Sequence, residues 1–429
     1  MQKKARASQW ALVAAFVSGP ALAQEDVTQI YGTLNVDFER VETNGATPAG
    51  TLPAGSLGLN PTGVNVPARN RVTQNSSNLG FRGSEKIGPG LSAFFQVESS
   101  VAVDSGGSNI ASRNTGVGLR GPWGSAFVGQ WDLPYKTISG SVDPMYFTGI
   151  TYTGALIGTP GFGVGPTTIG APGTSGDGKT FANSANASFE RRQGNSIQYW
   201  APAIAGVTLH AGYSVNENRT SSSSNLTQVD PTIWSASVEY AAGIFYFAYA
   251  HEVHDDYFGL DALVPAAQAT PVAASSASAY ASSHDSGDKL IARVKVGGTQ
   301  VGMMAERLRY AKSGTHAAGA FNRYERDAYV ITLVQDVGAS GKVRALAGKA
   351  RDGNCGRFDG LACDTSGLGA RQVSVGYSYS FARRTDGYLF YTRVANDPRA
   401  SYQFANGAGL GAAPGSTSVG YLVGIRHTF

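Results

Sequence analysis

Only two cysteines occur in 429 residues, so neither a lattice of disulfides nor a cluster of thiolate-bound metals organises this chain. Charge is sparse too, at 15% of residues. The basic residues are scattered singly along the length, which excludes the concentrated basic face that a nucleic-acid partner requires. Beyond residue 23 no apolar run approaches the ~18 residues of a membrane-spanning helix. If the protein enters a bilayer, it must do so as strands.

The first 23 residues differ from the rest. Lys3, Lys4 and Arg6 precede the apolar stretch WALVAAFVSG, and Ala21-Leu22-Ala23 offers a small-residue cleavage site. This pattern predicts a secretory signal peptide over 1–23 that is removed, the apolar stretch being too short for a membrane anchor. A single domain over 24–429 remains, beginning at Gln24. Loss of three bases from 34 Lys+Arg leaves 31 against 30 Asp+Glu, a nearly neutral mature chain.

What the sequence does have is alternation. Val419, Tyr421, Val423, Ile425, His427 and Phe429 share one face of the last segment, opposite Gly420, Leu422, Gly424, Arg426 and Thr428. A period of two means a strand. The same two-faced pattern recurs at 207–216 and 372–381. Strands are expected at 27–41, 78–87, 91–101, 114–121, 125–132, 194–201, 207–218, 232–242, 244–253, 288–297, 300–310, 325–337, 342–352, 371–381, 387–397 and 417–429.

Short turns such as Gly88-Pro89-Gly90, Gly121-Pro122-Trp123-Gly124 and Gly297-Gly298-Thr299 alternate with long polar connections at 42–77, 133–193, 254–287 and 353–370. The low-complexity segment from Pro271 to Ser283 falls in one of these. An even number of strands, short turns on one rim and long loops on the other describe an all-β, 16-stranded antiparallel transmembrane β-barrel. A soluble β-sandwich would also alternate, but its turn lengths would not segregate by rim. Tyr240, Phe245, Tyr377, Phe381, Tyr421 and Phe429 suit interfacial aromatic girdles.

The pieces IYGTLNVDFERV at 30–41, SSNLGFRGSEKIGPGLSAFFQVES at 76–99, RNTGVGLRGPWGSAFVGQWDLPY at 113–135, NSIQYWAP at 195–202 and the GIRHTF ending give the chain a resemblance over nearly its whole mature length. It resembles the Gram-negative trimeric general porin family. The resemblance implies a homotrimer in the outer membrane with short periplasmic turns and long extracellular loops, passively passing small hydrophilic solutes and ions, with no cofactor and no catalysis. It also implies that the third long loop folds inward and narrows the channel, its acids facing a basic cluster on the wall. Phe429 carries over as the terminal aromatic read by the barrel-insertion machinery, with an ordinary girdle aromatic as the alternative.

Parity places Arg82 and Arg120 on the lumen face. Arg113 matches a family arginine although parity alone puts it outward, a conflict that a bulge would resolve. Asn78 and Gln130 stand where the family often has bases. Among acids, Asp143 in VDPMY is the foremost candidate for the constriction, the alternative being a turn cap before Pro144; Asp132 and Glu98 follow. The loop is otherwise dominated by Tyr135, Tyr146, Phe147, Tyr152 and Phe162. Parity adds Arg293, Lys295, Arg393 and Arg426 to the lumen bases, and Asp37, Glu39 and Glu239 to its acids, which predicts a modest anion preference.

Cys355 and Cys363, close together in one polar loop, are expected to form a disulfide. HEVHDD at 251–256 resembles a metal motif only superficially, because His251 and His254 fall on opposite faces of a strand; no metal site is expected. Asp255, Asp256 and Asp261 offer acids that would attract a divalent cation at the level of lipopolysaccharide, an expected partner together with outer-membrane lipid. No GxSxG elbow occurs. Two alternatives to a general pore remain: a substrate-specific channel with an aromatic-lined third loop, and a surface receptor or adhesin.

Overall fold

Strands with one apolar face need a bilayer outside and water or protein inside, and here they join into one continuous sheet. The computed structural model describes residues 28–146, 148–162, 184–215, 230–264, 282–314, 319–404 and 409–429. The expected leader and the mature start at Gln24, Phe147, and most of the segment following Pro271 lie outside the described residues.

The strands are β1 (Gln29–Asn44), β2 (Arg69–Gln74), β3 (Asn78–Gly88), β4 (Leu91–Val101), β5 (Ser108–Asn109), β6 (Thr115–Gly121), β7 (Gly124–Asp132), β8 (Arg192–Trp200), β9 (Val207–Val215) and β10 (Thr232–Ala242). They continue with β11 (Phe245–Asp255), β12 (Ser282–Val296), β13 (Thr299–Ser313), β14 (Phe321–Val337), β15 (Gly341–Ala350), β16 (Asn354–Arg357), β17 (Ala370–Ala382), β18 (Thr385–Asn396) and β19 (Thr417–Thr428). Three of them, β2, β5 and β16, are short pieces of the long loops, added to β1, β4 and β14. The other sixteen run antiparallel in chain order. β1 then closes on β19 in register from Thr33↔Thr428 to Asn44↔Thr417, so the sheet is a closed 16-stranded antiparallel barrel. A closed sheet leaves no unpaired edge in hydrocarbon.

The faces follow the alternation. On β19 Tyr421, Val423 and Ile425 are more than half exposed whereas Leu422 between them is buried. All six expected girdle aromatics lie on the exposed outer surface. β12 starts six residues before the expected 288, and β14 four before the expected 325. In those extensions the outer face carries His284 and Ser286, or Arg323, and so resembles a loop when read from sequence. There the wall has passed out of the apolar band, and alternation no longer shows as hydrophobicity.

The inner face departs from the expected small polar surface. Ile291, Met304, Leu308, Leu346, Phe390 and Leu422 point inward and are buried, because the third long loop covers them. Cys355 and Cys363 form the expected disulfide, with their Cα atoms 5.8 Å apart.

The last residue completes the seam. The Phe429 N–H donates to the Gly32 carbonyl at 3.1 Å, and the Phe429 carbonyl accepts from the Gly32 N–H at 3.2 Å. The Phe429 ring lies across Gly32, where an added Cβ would stand 2.6 Å from its Cζ. Gly32→Val should therefore cost roughly 1–3 kcal/mol of overpacking at the closing seam. Heat-modifiability electrophoresis should show the compact band lost at a lower temperature than in the parent, whereas Gly243→Ala, in an open turn on the same rim, should not reproduce a loss caused by crowding.

Candidate functional site

The third long loop leaves β7 and turns into the barrel through a helical turn at Pro134–Thr137. Its apolar residues then seat on the inner wall. Glycines on the inner face make the room: a Cβ at Gly302 would meet Val142 at 2.9 Å, one at Gly348 would meet Leu156 at 3.0 Å, and one at Gly420 would meet Ile150 at 2.8 Å. The loop thus touches β13, β19 and β15 in turn. Tyr135, Ile138, Val142, Ile150, Leu156 and Phe162 are fully buried in this contact, each worth about 1.5–3 kcal/mol of burial.

A buried polar cluster fixes the loop from beneath. Lys289 on β12 pairs with Glu190, donates to the Ser139 hydroxyl at 2.8 Å and to the Tyr135 carbonyl at 3.3 Å, and lies 3.9 Å from the centroid of the Tyr135 ring. Glu306 on β13 accepts from the Tyr135 hydroxyl at 2.9 Å and from the Gly158 N–H at 2.8 Å, and Arg326 on β14 approaches it at 3.4 Å. Burial, then the Glu306 carboxylate, pushes the Tyr135 phenol well above its ordinary range. Burial, then Glu190, does the same at Tyr152. Both phenols therefore stay protonated and donate, Tyr152 to Glu190 at 3.2 Å.

The opposite part of the wall, on β3, β4, β6 and β7, carries the expected arginines. Arg82 donates to Gln29 at 2.9 Å and lies 4.9 Å from the Tyr31 ring centroid. Arg120 donates to the Ser125 hydroxyl at 3.1 Å and lies 4.8 Å from the Phe94 ring. The same motif continues around the wall. Arg293 lies over Tyr246 at 4.7 Å and donates to the Ser141 carbonyl at 2.9 Å. Arg426 and Arg344 both lie over Tyr146, at 5.2 and 4.2 Å. Arg344 also donates to the Tyr146 hydroxyl, the Pro144 carbonyl and the Ser378 hydroxyl. Among the described residues, the hydrogen-bond acceptors of Arg82, Arg120, Arg293 and Arg344 are all neutral, and none of the four makes a direct ion pair.

The acids are answered one by one. Glu98 pairs with Arg113 and accepts from the Tyr31 hydroxyl at 3.0 Å. Asp132 lies between Lys136 at 2.9 Å and Arg192 at 3.1 Å. Glu239 meets His210 at 3.2 Å and the Tyr246 hydroxyl at 2.7 Å. Asp37 accepts from Thr73 and Asn75, and Glu39 pairs with Arg71. Asp386 stands 3.5 Å from Arg426. Asp143 takes the turn-capping geometry, its Oδ1 accepting the Met145 N–H at 3.0 Å.

Arg113 reaches the lumen by a break in the strand. It lies between β5 and β6, beyond Ala111 with φ +60°, and its own N–H donates to the Glu98 carbonyl at 3.0 Å. Gln130 holds that turn by donating to the Ala111 and Arg113 carbonyls. Lys295 keeps its inward parity and is exposed at the short-turn rim.

Arg393 is a correction. On β18 Tyr388, Phe390, Thr392 and Val394 are the buried inward set, while Leu389 and Arg393 are exposed. Arg393 is registered with exposed Val373, so it sits on the outer surface and not in the lumen. The third-loop aromatics are the second departure: Tyr135, Tyr152 and Phe162 are packed into the wall and are not displayed to a solute. His251 and His254 do fall on opposite faces, His254 being fully buried and stacked on Phe189 at 4.2 Å.

Lys289, Glu306, Arg326 and Arg344 escaped the sequence reading. Their inward parity was readable, but not that the distant third loop supplies partners to Lys289, Glu306 and Arg344, or that Arg326 meets Glu306 across the wall. Glu306→Gln removes the charge shared by Lys289 and Arg326, and breaking such a buried pair costs roughly 3–5 kcal/mol. The expected result is a loosened loop, seen as larger and noisier single-channel currents in planar bilayers. Parent-like currents would mean that the apolar contacts alone fix the loop.

A model of a family described as Gram-negative porin matches residues 10–399. Among curated proteins, the chain is 30% identical over 128 residues to the major outer membrane protein P.IB of Neisseria meningitidis serogroup B, which is 29% of this chain and 34% of that protein. It is 35% identical over 77 residues to the P.IA protein of serogroup C, 18% of this chain and 20% of that one. The chain thus spans about a third or less of the length of the curated relatives it matches. Among solved structures, an anion-selective porin from Comamonas acidovorans superposes with a TM-score of 0.64 at 19% identity, covering 94% of this chain and all of that one. The trimer form of OmpT from Vibrio cholerae gives 0.55 at 12% identity, with 95% and 100% covered.

Proposed function

Because the chain belongs to the Gram-negative porin family and is an outer-membrane β-barrel, we propose that it is a passive diffusion pore for small hydrophilic solutes and ions, with a modest preference for anions. The observation that carries this reading is the set of inward arginines on neutral acceptors, Arg82, Arg120, Arg293 and Arg344, set against the acids Glu98 and Asp132, each of which is ion-paired with a base. In a narrow lumen bounded by protein, charge that water would screen in bulk acts on a passing ion. The solved relative from Comamonas acidovorans is described as anion-selective, which agrees with this sign.

The family is one of channels and not of enzymes, and the inward groups here hold a loop and line a passage. The long loops would face the exterior, the short turns the periplasm, and three copies would associate; a trimer is recorded for the OmpT relative. Phe429, paired to Gly32 yet with its ring exposed on the outer surface, would be open to the insertion machinery. Outward charges near the loop rim, Arg393 included, would face lipopolysaccharide. A channel whose specificity comes from Tyr135, Tyr152 or Phe162 of the third loop is disfavoured by their burial.

Reversal potentials across planar bilayers in a salt gradient test the reading. The parent should favour chloride over potassium, and the double variant Arg82→Gln, Arg120→Gln should lower the anion-to-cation permeability ratio roughly twofold or more. A cation-selective parent would overturn the proposal.

A further inference from the structure

Tyr135, Tyr152 and Phe162 of the third loop are used up in packing, but a second set of rings is not. On the wall that the described residues of the loop leave uncovered, Phe94 of β4, Phe127 and Trp131 of β7 and Trp200 of β8 all point inward and form a connected cluster. Ring centroids stand 6.0 Å apart for Phe94 and Phe127, 4.9 Å for Phe127 and Trp131, 5.5 Å for Phe127 and Trp200, and 6.1 Å for Trp131 and Trp200. Between them β6 contributes Gly116 and Gly118, whose missing side chains let Trp131 and Phe127 lie close against the sheet. Phe94, Trp131 and Trp200 remain partly exposed. Phe94 supports Arg120, but Trp131 and Trp200 carry no guanidinium among the described residues and present aromatic faces to the lumen.

Arg120 and His210 flank the cluster at its two ends. Arg120 lies over the Phe94 ring, and among the described residues its Nε is bonded to a neutral serine hydroxyl. His210 is stacked on Trp200 at 4.5 Å. Aromatic faces favour a flat apolar body by stacking, and the guanidinium favours a carboxylate. A neutral sugar would use the rings and leave the arginine without a purpose. Acetate would use the arginine and leave the rings without one.

We propose that this inner-wall cluster is a binding site for small aromatic carboxylates, in which the aryl ring stacks on Phe94, Trp131 and Trp200 and the carboxylate meets Arg120. This rests on the pore reading above and adds a solute class to it.

The test is block of single-channel chloride current in planar bilayers by benzoate, with acetate, cyclohexanecarboxylate, benzyl alcohol and glucose as comparison solutes. Benzoate should block at concentrations where the other four do not. Trp131→Leu and Trp200→Leu should each weaken benzoate block about fivefold relative to acetate, whereas Trp131→Phe, which keeps an aromatic face, should retain most of it. Arg120→Gln should remove the advantage of benzoate over benzyl alcohol. Trp234→Leu, on the outer surface, should match the parent. Equal block by benzoate and acetate, or block unchanged in both leucine variants that retain the compact electrophoretic band, would overturn the site. The two failures separate cleanly: an absence of chloride current would sink the pore reading, whereas current without aryl selectivity would sink only this one.

Discussion

The closing ladder between β1 and β19 is the interaction on which everything else in this molecule depends. In hydrocarbon each unpaired backbone N–H or C=O costs several kcal/mol, so an open sheet of this length would not be tolerated in a membrane. Twelve residue pairs zip the two terminal strands, and Phe429 adds itself through Gly32 beyond the last of them. Once the cylinder exists, the two faces of every strand acquire opposite solvents, and the alternation along the chain follows from that. The sparse charge and the absence of long apolar runs have the same cause.

Closure creates a second problem, because the interior of a 16-stranded cylinder is too wide to be filled by side chains from the wall alone. The chain solves it asymmetrically. One side of the interior is packed with the third loop, whose leucines, isoleucines and valines dock on inward glycines and inward aliphatic residues. Lys289, Glu190, Glu306 and Arg326 anchor that packing at points where the dielectric is low and an unpaired charge would be expensive. The other side is left with arginines laid on aromatic rings. The ring supports the guanidinium without neutralising it, so the wall can hold positive charge in ordered positions. The proposed anion preference would then come less from an acid-base field across the eyelet than from arginines held on rings and neutral acceptors.

Much of the framework was legible in one dimension. A side-chain period of two survives any tertiary arrangement, so strand positions, their number and the inward direction of Arg82, Arg120, Arg293 and Arg426 could be read directly. The reading faltered where the surroundings of a face change along its length. β12 and β14 run beyond the apolar band, and their ends look polar on both faces. Leu422, sitting among inward glycines, was a visible anomaly that marked the docking ground of the loop. Arg393 was assigned to the wrong face although its neighbours Phe390 and Val394 carried the information, since both are apolar on the side that the loop covers and so mimic a lipid-facing pattern.

The sequence by itself determined the class of the molecule: a cylinder of paired strands, an aromatic-rich exterior, glycine turns on one rim and long loops on the other. These are local or periodic properties, set by the geometry of a strand and by the solvent on each face. Only the tertiary structure decided which charges are answered and which are left standing. Glu98 finds Arg113 across a broken strand, Lys289 finds Glu190 and Arg120 finds a ring instead of an acid. Partners so distant along the chain meet through the path of the inward loop and the register of the wall, and electrostatic energy depends on separation in space, which strand periodicity does not encode.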